Sequence, residues 1–212
     1  DFKVAATHTV SYSNLRGLYD FSNQFDKTMF ENGDFNYDSI NNILQLLDVW
    51  SERIQTAKAG QACGVAHLES KTLQDELTRV IPTATYAACA RLQEIARDAC
   101  KAQLELYKER LSFMKSRPTN LKMYYSLHER IKAHEEEIDA LHEKNAVVEN
   151  MYTLLRQRSP KLISTDDAVQ LDELIHASED AKEQLVDAKM FAEDALGAMK
   201  DKLEEGIKVL DV

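Results

Sequence analysis

Glycine and proline are scarce in this chain, with 6 and 3 residues among 212. Few places are left for turns, and the long intervals rich in Ala, Leu, Glu, Lys and Gln have the composition of long helices rather than of sheets. Cysteine is equally sparse. Cys63, Cys89 and Cys100 fall in no C-x-x-C spacing, which excludes the usual zinc and disulfide frameworks and fits a reducing compartment. Basic charge is in deficit, with 26 Lys and Arg against 36 Asp and Glu and a net charge of -10. Such a chain lacks the footprint for a nucleic-acid duplex or an anionic membrane, so neither is an expected partner and other proteins are. No run approaches the roughly 18 consecutive apolar residues of a membrane span, and no basic-then-apolar leader opens the chain. The first residue is Asp1 rather than Met, which suggests a piece of a longer polypeptide.

What is present is heptad periodicity. Tyr124, Ile131, Ile138, Asn145 and Tyr152 recur at one seam position, and Leu127, His134, Leu141, Val148 and Leu155 at the other. Lys132, Glu135, Glu136, Asp139, Glu143 and Lys144 fill the intervals, so one face is apolar and the opposite face solvated. The chain is expected to be all-α, an elongated antiparallel helical bundle with coiled-coil-like seams.

Taken in order, residues 1 to 12 keep no helical period and read as an extended lead-in. Leu15, Leu18, Phe25 and Met29 then mark a first amphipathic helix, stopped at Asn32-Gly33 by residues that tolerate positive φ. Asp34 or Asn36 caps a second, whose apolar face carries Ile40, Ile43, Leu44, Leu47, Trp50 and Ile54, with Trp50 expected as a core anchor. A third segment runs from about Val65 to Val80 and is expected to end before Pro82. Residues 1–82 would form this N-terminal segment. Residues 83–212 would form a bundle of three long antiparallel helices, 83 to 115, 120 to 158 and 165 to 210. The first has Ala88, Leu92, Ile95, Ala99, Ala102, Leu106 and Phe113 on its seam. Thr119 or Asn120 caps the second, and Ser164 with Asp167 resembles a capping box for the third. That third helix carries Leu171, Leu174, Leu185, Ala188, Ala192, Ala195, Met199 and Leu203.

Few residues invite chemistry. Asp34, Asn36 and Asp38 have the opening spacing of a calcium loop, but Ser39 stands where the turn glycine is needed and Gln45 where a bidentate Glu is needed. His128, His134 and His142 lack the second ligand and the carboxylate of a zincin helix. His134 at a seam position reads as a packed imidazole bonded to Asn145 or to a facing helix, with a pH-sensitive contact or a metal ligand as the sharper alternatives. Asn145 either fixes helix register or marks an opening to solvent. No phosphate-binding glycine loop and no nucleophile with a positioned base is present, so no catalytic residue, bound cofactor or metal is assigned to the chain.

The run Pro118-Thr119-Asn120-Leu121-x-x-x-Tyr125-x-Leu127-x-Glu129-x-Ile131 resembles a stretch in the tail of dynein heavy chains, especially axonemal ones. Glu149-x-x-Tyr152-x-Leu154-Leu155, the break at Ser159-Pro160, Ile163-Ser164, Leu171-x-x-Leu174, Gln184 to Ala188, Met199-Lys200 and Gly206-Ile207 continue it. The likeness covers about residues 100 to 212. It departs at Ser178, where many members of that family carry Trp.

The resemblance implies a tail segment just upstream of the linker to the motor ring, in the cytoplasm, on the cytoskeleton of a ciliary or flagellar axoneme. It further implies a structural and assembly role. The expected partners are dynein intermediate and light chains, neighbouring dynein heavy chains and axonemal docking proteins. ATP and Mg would belong to the microtubule-dependent motor of the parent chain, with no cofactor in this segment. A reading from another class is a self-standing coiled-coil or spectrin-like scaffold that dimerises through the 121 to 155 seam.

Overall fold

Helices dominate the chain because its polar and apolar residues alternate with helical rather than strand period over long, nearly glycine-free intervals. The computed structural model describes residues 2–26, 28–63 and 66–210. It is all-α, with one small two-stranded sheet. In chain order the elements are α1 (Phe2–Ser13), α2 (Arg16–Gln24), α3 (Met29–Asn32), α4 (Tyr37–Thr56), β1 (Gly60–Cys63), β2 (Ala66–Glu69), α5 (Lys71–Met114), α6 (Leu121–Arg158) and α7 (Thr165–Leu210), with a single 3-10 turn at Pro160–Leu162. They divide into two compact units, Asp1–Ile95 with Thr153–Ile163 and Ala96–Tyr152 with Ser164–Val212. None of the described helices is long and apolar enough to cross a membrane.

In the first unit the core gathers Leu15, Leu18, Ile54 and Leu77, with Tyr12, Phe21, Trp50, Leu73 and Ile81 packed against them. The helices alternate in direction. Arg53 on α4 donates to the Asn14 carbonyl, and Gly17 lies against the Trp50 ring, so residue numbers rise on one helix as they fall on its neighbour. Gln74 on α5 donates to the carbonyls of Ile54 and Ala57 at 2.7 and 3.2 Å, capping the end of α4 from the next helix. Arg158 and Asp48 form an ion pair at the surface of this unit.

Several expectations are corrected here. Residues 2 to 13 are helical rather than extended. Tertiary contact replaces the missing periodicity, since Tyr12 donates its hydroxyl to the Lys58 carbonyl at 2.8 Å and α1 lies against β1. The single helix expected from Ser13 to Asn32 is two, α2 and α3, because Phe25 turns extended with ψ 114. The break lets Phe21, Phe25, Phe30 and Phe35 pack in series, the first pair stacked and the next two tilted, with centroids 5.6, 6.4 and 5.1 Å apart. Gly33 has φ -86 and is not left-handed. A Cβ there would lie 2.2 Å from the Phe35 ring, so close approach, not positive φ, explains the glycine.

The third segment is not a helix from Val65. Ala66–Glu69 pairs antiparallel with Gly60–Cys63, from Gly60 opposite Glu69 to Cys63 opposite Ala66, while Val65 lies outside the described residues. Helix α5 starts at Lys71 and passes through Pro82 without stopping, so the boundary expected at 82 falls within one helix. Proline inside a helix costs about 3 kcal/mol. Buried Leu77, Ala84 and Ala88 on either side supply the packing that offsets it.

The second unit contains the later part of α5, most of α6 and α7. Tyr107 meets Asn145, and Arg110 meets His134 and Glu137, so α5 and α6 run antiparallel. Tyr124 meets Ala192, and His142 meets Ser178, so α6 and α7 do also. Arg97 meets Asp167 and Cys100 meets Gln170, both 70 residues on, so α5 and α7 are parallel. Asn120 caps α6 by accepting from the Met123 amide at 2.9 Å. Ser164 and Asp167 exchange bonds at the start of α7, Asp167 amide to Ser164 Oγ at 3.1 Å and Ser164 amide to Asp167 Oδ2 at 3.0 Å.

The α5 seam differs from the one expected after Leu92. Ala96, Cys100, Leu104, Tyr107 and Met114 are buried, whereas Ile95, Ala99, Leu106 and Phe113 are half-buried and Ala102 is exposed. The buried face advances mostly in steps of four, slower in angle than a strict heptad, so the true seam slips by one residue. On α7, Leu171, Leu174, Ala181, Leu185, Ala188 and Ala192 are buried and Ala195 is half-buried. The Met199 and Leu203 side chains lie outside the described ones.

Candidate functional site

The features that set the second unit apart are polar side chains held inside its helix interfaces. Of the seam residues on α6, Tyr124, Leu127, Ile131, His134, Leu141, Asn145, Val148 and Tyr152 are buried, as is Leu155 in the first unit. Ile138 is only half-buried. Trp50 is also half-buried and packs tilted against Phe21 at 5.5 Å between centroids, so it borders the N-terminal core rather than filling its centre.

His134 faces α5. Arg110 Nη1 donates to its Nδ1 at 2.6 Å. Because a guanidinium can only donate, Nδ1 is the acceptor and the proton of the neutral ring sits on Nε2, which is buried with no hydrogen-bond partner among the described residues. Burial and the Arg110 charge hold the imidazole below its ordinary pKa. Arg110 also pairs with Glu137 and holds that carboxyl below its usual range. Eight residues further along, half-buried His142 faces α7, with Nδ1 3.1 Å from Ser178 Oγ. Burial and the Lys182 charge lower its pKa too. Ser178 thus makes a polar contact from α7 to α6.

Asn145 is 4% exposed, so it does not open to solvent. Its Nδ2 donates to Tyr107 Oη at 2.7 Å. At the other end of the unit, Arg97 grips Asp167 with two hydrogen bonds, Nε to Oδ1 at 2.7 Å and Nη2 to Oδ2 at 3.1 Å. Asp167 is 1% exposed, so this forked pair neutralises a carboxylate that water cannot reach. Burial, with the Asp167 charge nearby, pushes the Tyr152 hydroxyl up to about 12.

On the outer side, α6 and α7 border a groove of about 490 Å³ lined by Tyr124, His128, Ile131, Lys132, Ala192 and Leu196. Lys189 and Glu135 pair across it at 2.6 Å, so Glu135, like Glu137, does more than solvate a face. Leu121, Tyr125, Met190 and Leu196 remain exposed on the two helices. Among the described residues no group of three or more His, Cys, Asp and Glu is placed to hold a metal ion. Asn36, from the calcium-like triplet, spends its side chain capping α4, accepting from the Ser39 amide at 2.9 Å.

Sequence reasoning placed His134, Asn145 and Asp167 in the bundle but missed Tyr107, Arg97 and Arg110, which answer them from α5. A signal existed. Arg110 lies three residues after Tyr107 and four before Met114, on the slipped seam, and a charge at a seam position calls for a buried partner. Chemically, the polar groups of this unit join helices to one another. No family model matches the chain, and no curated protein matches it.

Proposed function

We propose that this chain is a structural and assembly segment of the tail of a ciliary or flagellar dynein heavy chain, joining axonemal anchorage to the ATP-driven motor elsewhere in the polypeptide. The observation that carries the reading is the resemblance over Pro118 to Ile131 and its continuation to Ile207. It is supported by where those residues fall. Pro118-Thr119-Asn120 forms the α5–α6 connection with Asn120 as cap, Ser159-Pro160 ends α6, and Ser164 caps α7.

A load-bearing role suits three long helices held in register by buried polar contacts, because each contact is lost when one helix slides by a turn. Intermediate and light chains, neighbouring heavy chains and docking proteins would bind the outer faces. The groove between α6 and α7, with exposed Leu196 in its lining, offers apolar area for such a contact. The scaffold alternative needs dimerisation through the 121 to 155 seam. That partner would have to displace Arg110, Tyr107 and the α7 backbone from His134, Asn145 and Tyr124.

The test is the mass of the native polypeptide that carries the segment, read on a denaturing gel with an antibody to residues 120 to 160. A band of several hundred kilodaltons that co-fractionates with microtubule-dependent ATPase is expected. A band near 24 kDa would overturn the proposal.

A further inference from the structure

We infer that α6 is a proton-responsive element of the bundle, releasing its contact to α5 when the His134 imidazole takes up a proton. The geometry at His134 requires the neutral ring. A proton on Nδ1 would turn the acceptor for Arg110 into a second donor, 2.6 Å from a cation and 1% exposed to water. The hydrogen bond would be lost and two positive charges would abut inside a helix interface.

The charged groups around the two imidazoles are of both signs. At His134 they are Arg110 from α5, which opposes the proton, and Glu137 and His142 from α6 itself, of which Glu137 favours it. Glu137 is exposed and already paired with Arg110, so it is a weak counterweight. On the α7 side Lys189 and Glu135 neutralise each other. At His142 they are Lys182 from α7, opposing, and Asp139 from α6, favouring. Burial is the largest effect at both. His142, eight residues further along, faces a Ser178 hydroxyl that can accept from a protonated ring as well as donate to a neutral one, so the acid-sensitive grip of α6 is the one at His134.

The native imidazoles therefore bind protons more weakly than those of the unfolded chain. Stability is at its plateau above about pH 6.5 and falls as pH drops from there through the native-state values. The experiment is urea unfolding of the full chain, followed by circular dichroism, at about pH 7.5 and 5.5. The comparison is with His134→Asn, in which Asn Oδ1 replaces Nδ1 as an acceptor that does not titrate. The unfolding constant of the parent should rise more on acidification than that of the variant, by up to about tenfold. Equal rises would overturn the inference.

A second measurement does not depend on the variant folding. In an NMR titration the His134 imidazole should titrate below the ordinary imidazole value, and Arg110→Gln should move it upward. A His134 imidazole that titrates at the ordinary value, or that does not move with Arg110→Gln, would overturn it as well.

Discussion

Asn145 Nδ2 and Tyr107 Oη are joined by a 2.7 Å hydrogen bond between side chains that are 4% and 0% exposed. Each supplies the polar partner that makes the other's burial tolerable. Asn145→Ala would leave the Tyr107 hydroxyl alone in the core and should lower stability by about 1–3 kcal/mol in urea unfolding. Replacing both by apolar residues, Tyr107→Phe with Asn145→Leu, should cost less than the sum of the single changes, as a double-mutant cycle would reveal.

Arg97 and Asp167 are unequal partners, with side chains 37% and 1% exposed. Arg97→Ala takes the neutralising cation from a buried carboxylate, leaving it to the Ser164 donors, and should cost about 2–3 kcal/mol, after allowance for the solvent that already screens the guanidinium. Arg97→Lys keeps the charge but not the forked geometry and should recover only part of the loss. Equal stability of Arg97→Ala and the parent would show that Ser164 and the start of α7 suffice to hold Asp167.

An aspartate placed on the α6 seam should unfold the bundle only where the seam is sealed. Ile131 is 4% exposed, whereas Ile138 is half-buried and its carboxylate could reach water. Ile131→Asp should cost more than about 3 kcal/mol and Ile138→Asp distinctly less. Melting curves that ranked the two the other way round would move the core to the other face of the helix.

Cys100 is fully buried, and its thiol is pushed up to about 11 by burial and by nearby Asp167 and Glu173. Burial also raises the Cys89 thiol. At pH 8 the thiolate fraction of Cys100 is on the order of one in a thousand. In a Cys63→Ser background, a thiol reagent should therefore label neither cysteine until urea exposes them. Fast labelling of the folded protein would contradict this burial.

The sequence reading reached furthest where apolar spacing was regular and caps were chemically explicit. Helices α6 and α7, Asn120 and the Ser164–Asp167 box all stand where periodicity and capping residues put them. It failed where tertiary contacts overruled local signals. Tyr12 and its bond to Lys58 hold a helix that has no stripe of its own. Packing carries α5 through Pro82, and the aromatic series from Phe21 to Phe35 breaks one expected helix into two. The polar layers were half legible. A buried His or Asn announces itself by falling on a seam, but which Arg or Tyr answers it depends on the vertical alignment of two helices, and no single-helix period encodes that.

Pro82 leaves α5 with a missing rung, since its ring nitrogen has no hydrogen to offer the Thr78 carbonyl. Around that rung the helix is stitched to its surroundings by side chains, Gln74 to the end of α4 and Leu77 to the N-terminal core. Local integrity there is thus borrowed from neighbouring elements. Amide exchange along α5 should show a dip in protection around this turn, deepening whenever α4 is loosened, while the stretch from Ala96 onward keeps its own protection.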